Sequence, residues 1–268
     1  MVIAWWYRQV NEYATRELTH FTDRFPALSG LAKEYSDRTG YHYTAGIWLE
    51  DFRRGLLWKS IGGRTDARYS PSWSWATAID VPACSRHDLY VFGPSPWSHI
   101  ASNEVQLVHK SVKNVGGNPF GQVILPAKLS LRGICRQMKD LLSTYGFWFR
   151  AGMYVRRPVP KIKPENFEKP GPDAIVLWMD SEEFEHRIFC LEEEIFVLQV
   201  ARFKIQRDLI GIPHWHPRKS SYSGDVSFGL VLEPTLNERT TYRRIGIVEM
   251  PIDGSEELGW EMKTVTIV

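Results

Sequence analysis

No run of this chain approaches the roughly 20 consecutive apolar residues that cross a bilayer. Its first residues, Met1 to Tyr7, place no basic stretch ahead of an apolar one, so neither a membrane span nor a secretory leader is expected. Cysteine is scarce. Cys84, Cys135 and Cys190 are odd in number and widely spaced, which excludes a disulfide framework and suits reduced thiols in the cytoplasm. Neither sign of charge dominates: 33 Lys and Arg against 31 Asp and Glu leave +2, too even a balance to argue for nucleic acid. The common catalytic signatures are missing too. There is no G-x-x-x-x-G-K-[ST] phosphate loop, no G-x-S-x-G elbow, no H-E-x-x-H and no C-x-x-C. Gly62-Gly63-Arg64 and Gly116-Gly117-Asn118 are glycine pairs without the rest of a phosphate loop, and no fixed-period repeat occurs.

Aromatic residues, by contrast, are plentiful: 11 Trp, 11 Tyr and 13 Phe in 268 residues. Such a load points to a thick core, an aromatic pocket or a partner surface. It is densest in meaning at Tyr69-Ser70-Pro71-Ser72-Trp73-Ser74-Trp75-Ala76. Read as an extended strand entered at Pro71, this stretch puts Trp73 and Trp75 on one face and Ser72, Ser74 and Ala76 on the other. The indoles then either fill a packed interior or wall a pocket for a flat, apolar ligand.

The same box resembles the "APSWSWAS" segment that follows the HET domain in fungal heterokaryon-incompatibility proteins. Phe21 to Ala32 resembles that family's "D-R/K-L-P-A-L-S-G-L-A" helix. Tyr43 to Trp48 with Gly55 to Trp58 resembles its "YLAGLW…LLW" motifs, and Gly229 to Leu232 with Tyr242 to Gly246 its "GLVL…YRRIG" strands. Order and spacing agree from about residue 5 to residue 268. In that family the HET domain precedes these motifs, and the chain opens at what matches its last edge, Trp5 to Thr19. The resemblance implies an interaction or regulatory module of a filamentous fungus and supplies no catalytic residue.

Local patterns give an order of elements. Residues 5–19 read as a helix with Trp6, Val10 and Tyr13 on one side. A second helix runs from about Phe25 to Arg38, started at Thr22 or Asp23 and closed by Gly40. A short third helix is expected over Tyr43 to Asp51, carrying Ile47 and Trp48 inward. Strands are expected within His99 to Lys113, then at Val123–Cys135, Ala174–Asp180, Arg187–Leu191, Ile195–Arg202, Phe228–Leu232, Tyr242–Glu249 and Lys263–Ile267, with a helix or loop over Gln137–Tyr145. A Pro-rich loop with several lysines spans about 156–172. The fold class that follows is α+β: a small N-terminal helical cap, residues 1–60, on a mainly antiparallel barrel- or sandwich-like body, residues 61–268.

Candidate chemistry is thin. His214-Trp215-His216 offers two imidazoles but no third ligand near in sequence, so no metal is expected. Cys84 and His87 lie three apart without an orienting group. Glu182, Glu183, Glu185 and His186 beside Asp180 read most simply as solvated surface. Arg243 and Arg244 point to opposite faces of a strand, so one points inward and needs a carboxylate or a ligand anion. Asp23, Asp51 and Asp80 are the candidate mates. Candidate ligand-binding residues are therefore Trp48, Trp58, Trp73, Trp75, Arg243 and Arg244. Two functions compete: an interaction or regulatory module, and a small-molecule isomerase or cyclase of fungal secondary metabolism with an aromatic pocket. The expected partner is a protein or a small apolar ligand, without cofactor, nucleic acid or membrane.

Overall fold

A computed structural model describes residues 2–14, 16, 18–59, 65–78, 99–144, 147–150, 175–180, 194–205, 224–236, 238, 240–251 and 259–268. The expected strand at Arg187–Leu191, the Pro-rich loop and Gly62-Gly63-Arg64 lie outside these residues.

Two helices come first: α1, Val2–Ala14, and α2, Arg24–Thr39. In α1, Trp6, Val10 and Tyr13 recur at helical spacing and all are buried. In α2 the buried stripe is Phe25, Leu28, Ala32 and Tyr35. Gly40 ends α2 at φ +73°, and its N–H bonds the Ser36 carbonyl, a left-handed stop that suits glycine. Asp23 stands just ahead of α2 but makes no side-chain capping bond there.

The expected third helix over Tyr43 to Asp51 is instead a minimal hairpin. Strand β1, Tyr43–Thr44, pairs with β2, Ile47–Trp48, around Ala45 and Gly46, whose φ values are +42° and +93°. Two positive φ values in a row make the tight turn that matches strand twist, and a glycine sits at the second. The only helix in this region is α3, Phe52–Gly55, reached through a 3-10 turn at Leu49–Asp51.

The body is a nine-stranded sheet. Its strands are β3, His99–Asn103; β4, Gln106–Asn114; β5, Val123–Gln137; β6, Phe147–Arg150; β7, Ile175–Met179; β8, Phe196–Ile205; β9, Gly224–Pro234; β10, Thr241–Pro251; and β11, Glu261–Ile267. A short helix α4, Met138–Thr144, follows β5. Five strands form a closed ring in the order β11-β5-β8-β9-β10, sealed where Thr241 and Tyr242 of β10 pair in parallel with Thr266 and Ile267 of β11. Strands β7 and β6 extend from β10, β3 pairs with β8, and β4 pairs with β5. The fold is thus α+β with a barrel-like, mostly antiparallel sheet, as its sequence pattern implies.

Period-two alternation gives the sheet two apolar faces. Leu198, Leu230, Leu232 and Ile247 join the main core, which also contains Trp6, Phe25, Trp48 and Trp75 of the helical cap. Val197, Val231, Ile245 and Val248 point the other way and meet Met138 and Leu141 of α4. One continuous core therefore links cap and ring.

Candidate functional site

The tryptophan box is not a strand. Residues 69–74 run through turns and bends, and Trp75–Thr77 form a 3-10 turn. Nor does the box alternate between an inner and an outer face: Ser72, Trp73, Ser74, Trp75 and Ala76 are all buried. The serines are tolerated inside because they do backbone work. Ser74 Oγ accepts from the Ala76 N–H, and Ser72 Oγ accepts from the Arg244 N–H at 3.0 Å while donating to the Val268 carbonyl.

Both indoles point inward, to different partners. Trp73 is fully buried and donates to the Ala127 carbonyl of β5 at 3.3 Å. Trp75 donates to the Gly46 carbonyl of the hairpin turn at 2.9 Å and meets Tyr13 and Phe25 edge-on. The box is a rivet between cap and ring. Trp48 belongs to the cap as well, packed against Trp6, Tyr35 and Tyr43 with ring centroids 4.6–5.1 Å from Tyr35, Tyr43 and Trp6.

The densest polar chemistry lies where Trp58 meets β10. Arg244 and Arg243 do point oppositely. Arg243 pairs with the buried Glu233 of β9 on the far face. Arg244 turns inward at a bulge between Arg244 and Gly246, and its side chain has no exposed surface. Its guanidinium carbon lies 3.5 Å from the centroid of the Trp58 ring, and Nη2 donates to the Trp58 carbonyl at 2.5 Å. The Trp58 N–H in turn donates to the Trp73 carbonyl at 3.0 Å. The compensating carboxylate is Asp180, just past β7, with Oδ1 3.1 Å from Nη2. It is neither Asp23 nor Asp51, the latter taken up by Tyr7 and Arg54, and Asp80 lies outside the described residues.

Burial sets the electrostatics. It pushes the Asp180 carboxyl up to about 6 against the opposing pull of Arg244, and pushes Arg244 down to about 10 against the pull of Asp180. Among the described residues, Nε and Nη1 of Arg244 have no hydrogen-bond partner, and Asp180 Oδ1 meets Nη2 as an ion pair without hydrogen-bond geometry. Close by, Lys59 Nζ stands 3.7 Å from the centroid of the Trp178 ring. The arrangement can hold an acceptor on the N–H groups of Nε and Nη1, but the side chains are enclosed.

Of the six residues singled out in the sequence, Trp58, Trp73 and Arg244 come together, while Trp48, Trp75 and Arg243 stand elsewhere. Asp180, Ser72, Lys59 and Trp178 complete the cluster without having been singled out. The one hint was a carboxylate directly after the apolar run Ile175 to Met179. Among the described residues, no group of three or more His, Cys, Asp and Glu could hold a metal. His214, His216, Cys84, His87, Glu182, Glu183, Glu185 and His186 lie outside them. An open groove of about 390 Å³ runs over the helical cap, lined by Trp5, Leu31, Glu34, Tyr35, Arg38 and Thr39. No described helix is long and apolar enough to cross a membrane. Comparison with protein-family models, with curated proteins and with solved structures gives no match.

Proposed function

We propose that the chain is a non-catalytic interaction module, acting in the cytoplasm, of the kind that follows the HET domain in fungal heterokaryon-incompatibility proteins. One observation carries this reading: the indoles that would wall a ligand pocket, Trp48, Trp58, Trp73 and Trp75, are each at most 1% exposed. Their surface is spent on joining cap to ring. Trp58, Trp73 and Trp75 also have their N–H groups committed to backbone carbonyls inside the core. The buried thiol of Cys135, pushed up to about 11 by desolvation, supports a structural and unreactive cysteine.

The rival reading, a small-molecule isomerase or cyclase, draws support from Asp180 and Arg244. A carboxylic acid poised near 6 beside an indole-stacked cation is the sort of group that moves protons. It needs an opening that brings substrate to Trp58.

Incubation of the pure chain with a panel of flat and polyene apolar compounds tests the two readings. The interaction module gives no product by mass spectrometry and shifts in Tm below about 1 °C, since there is little ligand-linked stabilisation without tight binding. Turnover abolished by Asp180→Asn would overturn it in favour of the enzyme.

A further inference from the structure

From Val105 to Gln137 the chain carries Lys110, Lys113, Lys128, Arg132 and Arg136, with His109, and not one Asp or Glu. In a protein whose total charges nearly cancel, this is a local imbalance, and the fold displays it. Strand β4 lies on one side of β5 and β11 on the other. Along β5, Ala127, Leu129, Leu131 and Cys135 enter the main core, so Lys128, Ser130, Arg132 and Ile134 face outward.

The register sets these side chains in rows. Gln106 and Thr264 flank Arg132, His109 and Thr266 flank Ser130, and Ser111 lies opposite Lys128. The Ser130 and Thr266 hydroxyls, 2.9 Å apart, share that face. Two carboxylates stand at its margins, Glu238 on Lys128 at 3.1 Å and Glu261 on Lys263 at 2.9 Å. No described carboxylate pairs with His109, Lys110, Lys113 or Arg132.

Apolar side chains bracket the basic rows. Of the seven large hydrophobic residues exposed among those described, four belong to these strands and their turn: Val115 and Ile124 at the β4–β5 turn, Val108 at the break between Leu107 and His109, and Met262 at the other end, opposite Ile134. Ile124 and Ile134 are ten residues apart on one strand, or about 33 Å at the usual rise per residue.

We propose that this outward face of β4, β5 and β11 docks an extended acidic segment of a partner protein, about ten residues long, with apolar residues at its two ends. The carboxylates would meet Arg132, Lys113 and Lys128, the hydroxyl rows would bond its polar groups, and the ends would cover Ile124 and Met262. A nucleic-acid strand fits less well, because no outward aromatic ring offers a stacking platform among the described rows. A lipid surface fits less well, because Ile124 and Met262 sit at opposite ends of the face and do not form one insertable edge.

This assignment rests on reading the chain as an interaction module and names the chemistry of its partner. The test uses a fluorescein-labelled peptide with leucines at both ends and six glutamates between them. Its anisotropy is followed with the full chain at 50 and 200 mM NaCl. Parallel arms use a 20-nucleotide oligo-dT and vesicles containing phosphatidylserine.

The peptide should bind, weaken with salt, and lose about tenfold or more in affinity with Lys113→Glu/Arg132→Glu, the scale expected for reversing two surface charges at an interface. Ile124→Ser/Met262→Ser should weaken it several-fold, and Lys33→Glu on α2 should leave it unchanged. All these side chains are exposed or half-exposed, and circular dichroism checks that the variants fold. The proposal is overturned by no peptide binding up to 1 mM, by binding that survives the charge reversal, or by tighter binding of oligo-dT or vesicles. None of those outcomes produces turnover in the small-molecule panel, so loss of this face is distinguishable from loss of the module reading.

Discussion

At the scale of single residues, the Arg244–Asp180 pair is the most exposed to perturbation, because both charges are buried and only partly bonded. Asp180→Ala leaves an uncompensated cation inside the protein and should cost about 3–5 kcal/mol in urea unfolding. Replacing both residues together, Asp180→Leu with Arg244→Met, should recover most of that loss, since paired apolar residues avoid the desolvation altogether. The pair also marks the stability profile with pH. The folded-state value of Asp180, about 6, lies above its ordinary 3.8, so between those values the folded chain holds more proton than the unfolded one. Its contribution is therefore complete below about pH 4 and is lost as pH rises through about 6. Unfolding midpoints of wild type and Asp180→Asn, compared from pH 4 to 7, should diverge with that slope and in that window. Ser72 is a second sensitive point. Its hydroxyl serves both the Arg244 N–H and the Val268 carbonyl, and although that carbonyl keeps the Ser72 backbone N–H, Ser72→Ala should cost about 1–3 kcal/mol by leaving the buried Arg244 N–H unmet.

At the scale of elements, two glycines behave oppositely. A methyl group at Gly30, in the middle of α2, meets nothing within 4 Å, so Gly30→Ala should stabilise by about 0.5–1 kcal/mol through helix propensity. A methyl group at Gly46 would stand 2.6 Å from Trp75 Nε1 on a backbone already at φ +93°. Gly46→Ala should therefore destabilise by about 2 kcal/mol or more and red-shift tryptophan emission as Trp75 is displaced. Helix α2 was legible in the sequence because its signals are local: a periodic apolar stripe and a glycine stop. Most of the long strands were legible for the same reason, their alternation being intact. The hairpin of β1 and β2 was not, since two-residue strands show no period and Ala45 is an unusual occupant of a left-handed position. The box was misread as a strand because alternation of Ser and Trp cannot announce that the serine hydroxyls will bond the backbone and turn the chain, as Ser74 does at Trp75–Thr77. That one of Arg243 and Arg244 turns inward could be read from their adjacency on a strand, yet which one, and Asp180 as its partner, could not, because that pairing exists only after β7 and β10 lie side by side.

At the scale of the molecule, cap and ring share one core, and Trp73 is where they are fastened. Trp73→Ala should cost about 3–5 kcal/mol, as large-to-small changes at buried aromatics do. In the wild type, unfolding followed by helical circular dichroism and by tryptophan emission should trace a single coincident transition. Two separated transitions would show that the cap and ring melt as independent units. Strand β4 adds a molecular-scale feature of its own. It pairs only with β5 among the described strands, and its ladder is broken by irregularities between Leu107 and His109 and between Ser111 and Lys113. Such breaks, with lysines along the strand, discourage edge-to-edge aggregation. The clasp between Ser72 and Val268 carries a different consequence, for the protein while it is being made. A ribosome delivers the tryptophan box nearly two hundred residues before the partner that holds it in place. Throughout that interval Ser72 lacks the Val268 carbonyl that clasps the box to the ring, and Trp73 waits for the Ala127 carbonyl of β5. Vectorial synthesis should thus leave this protein dependent on holding chaperones until β11 emerges.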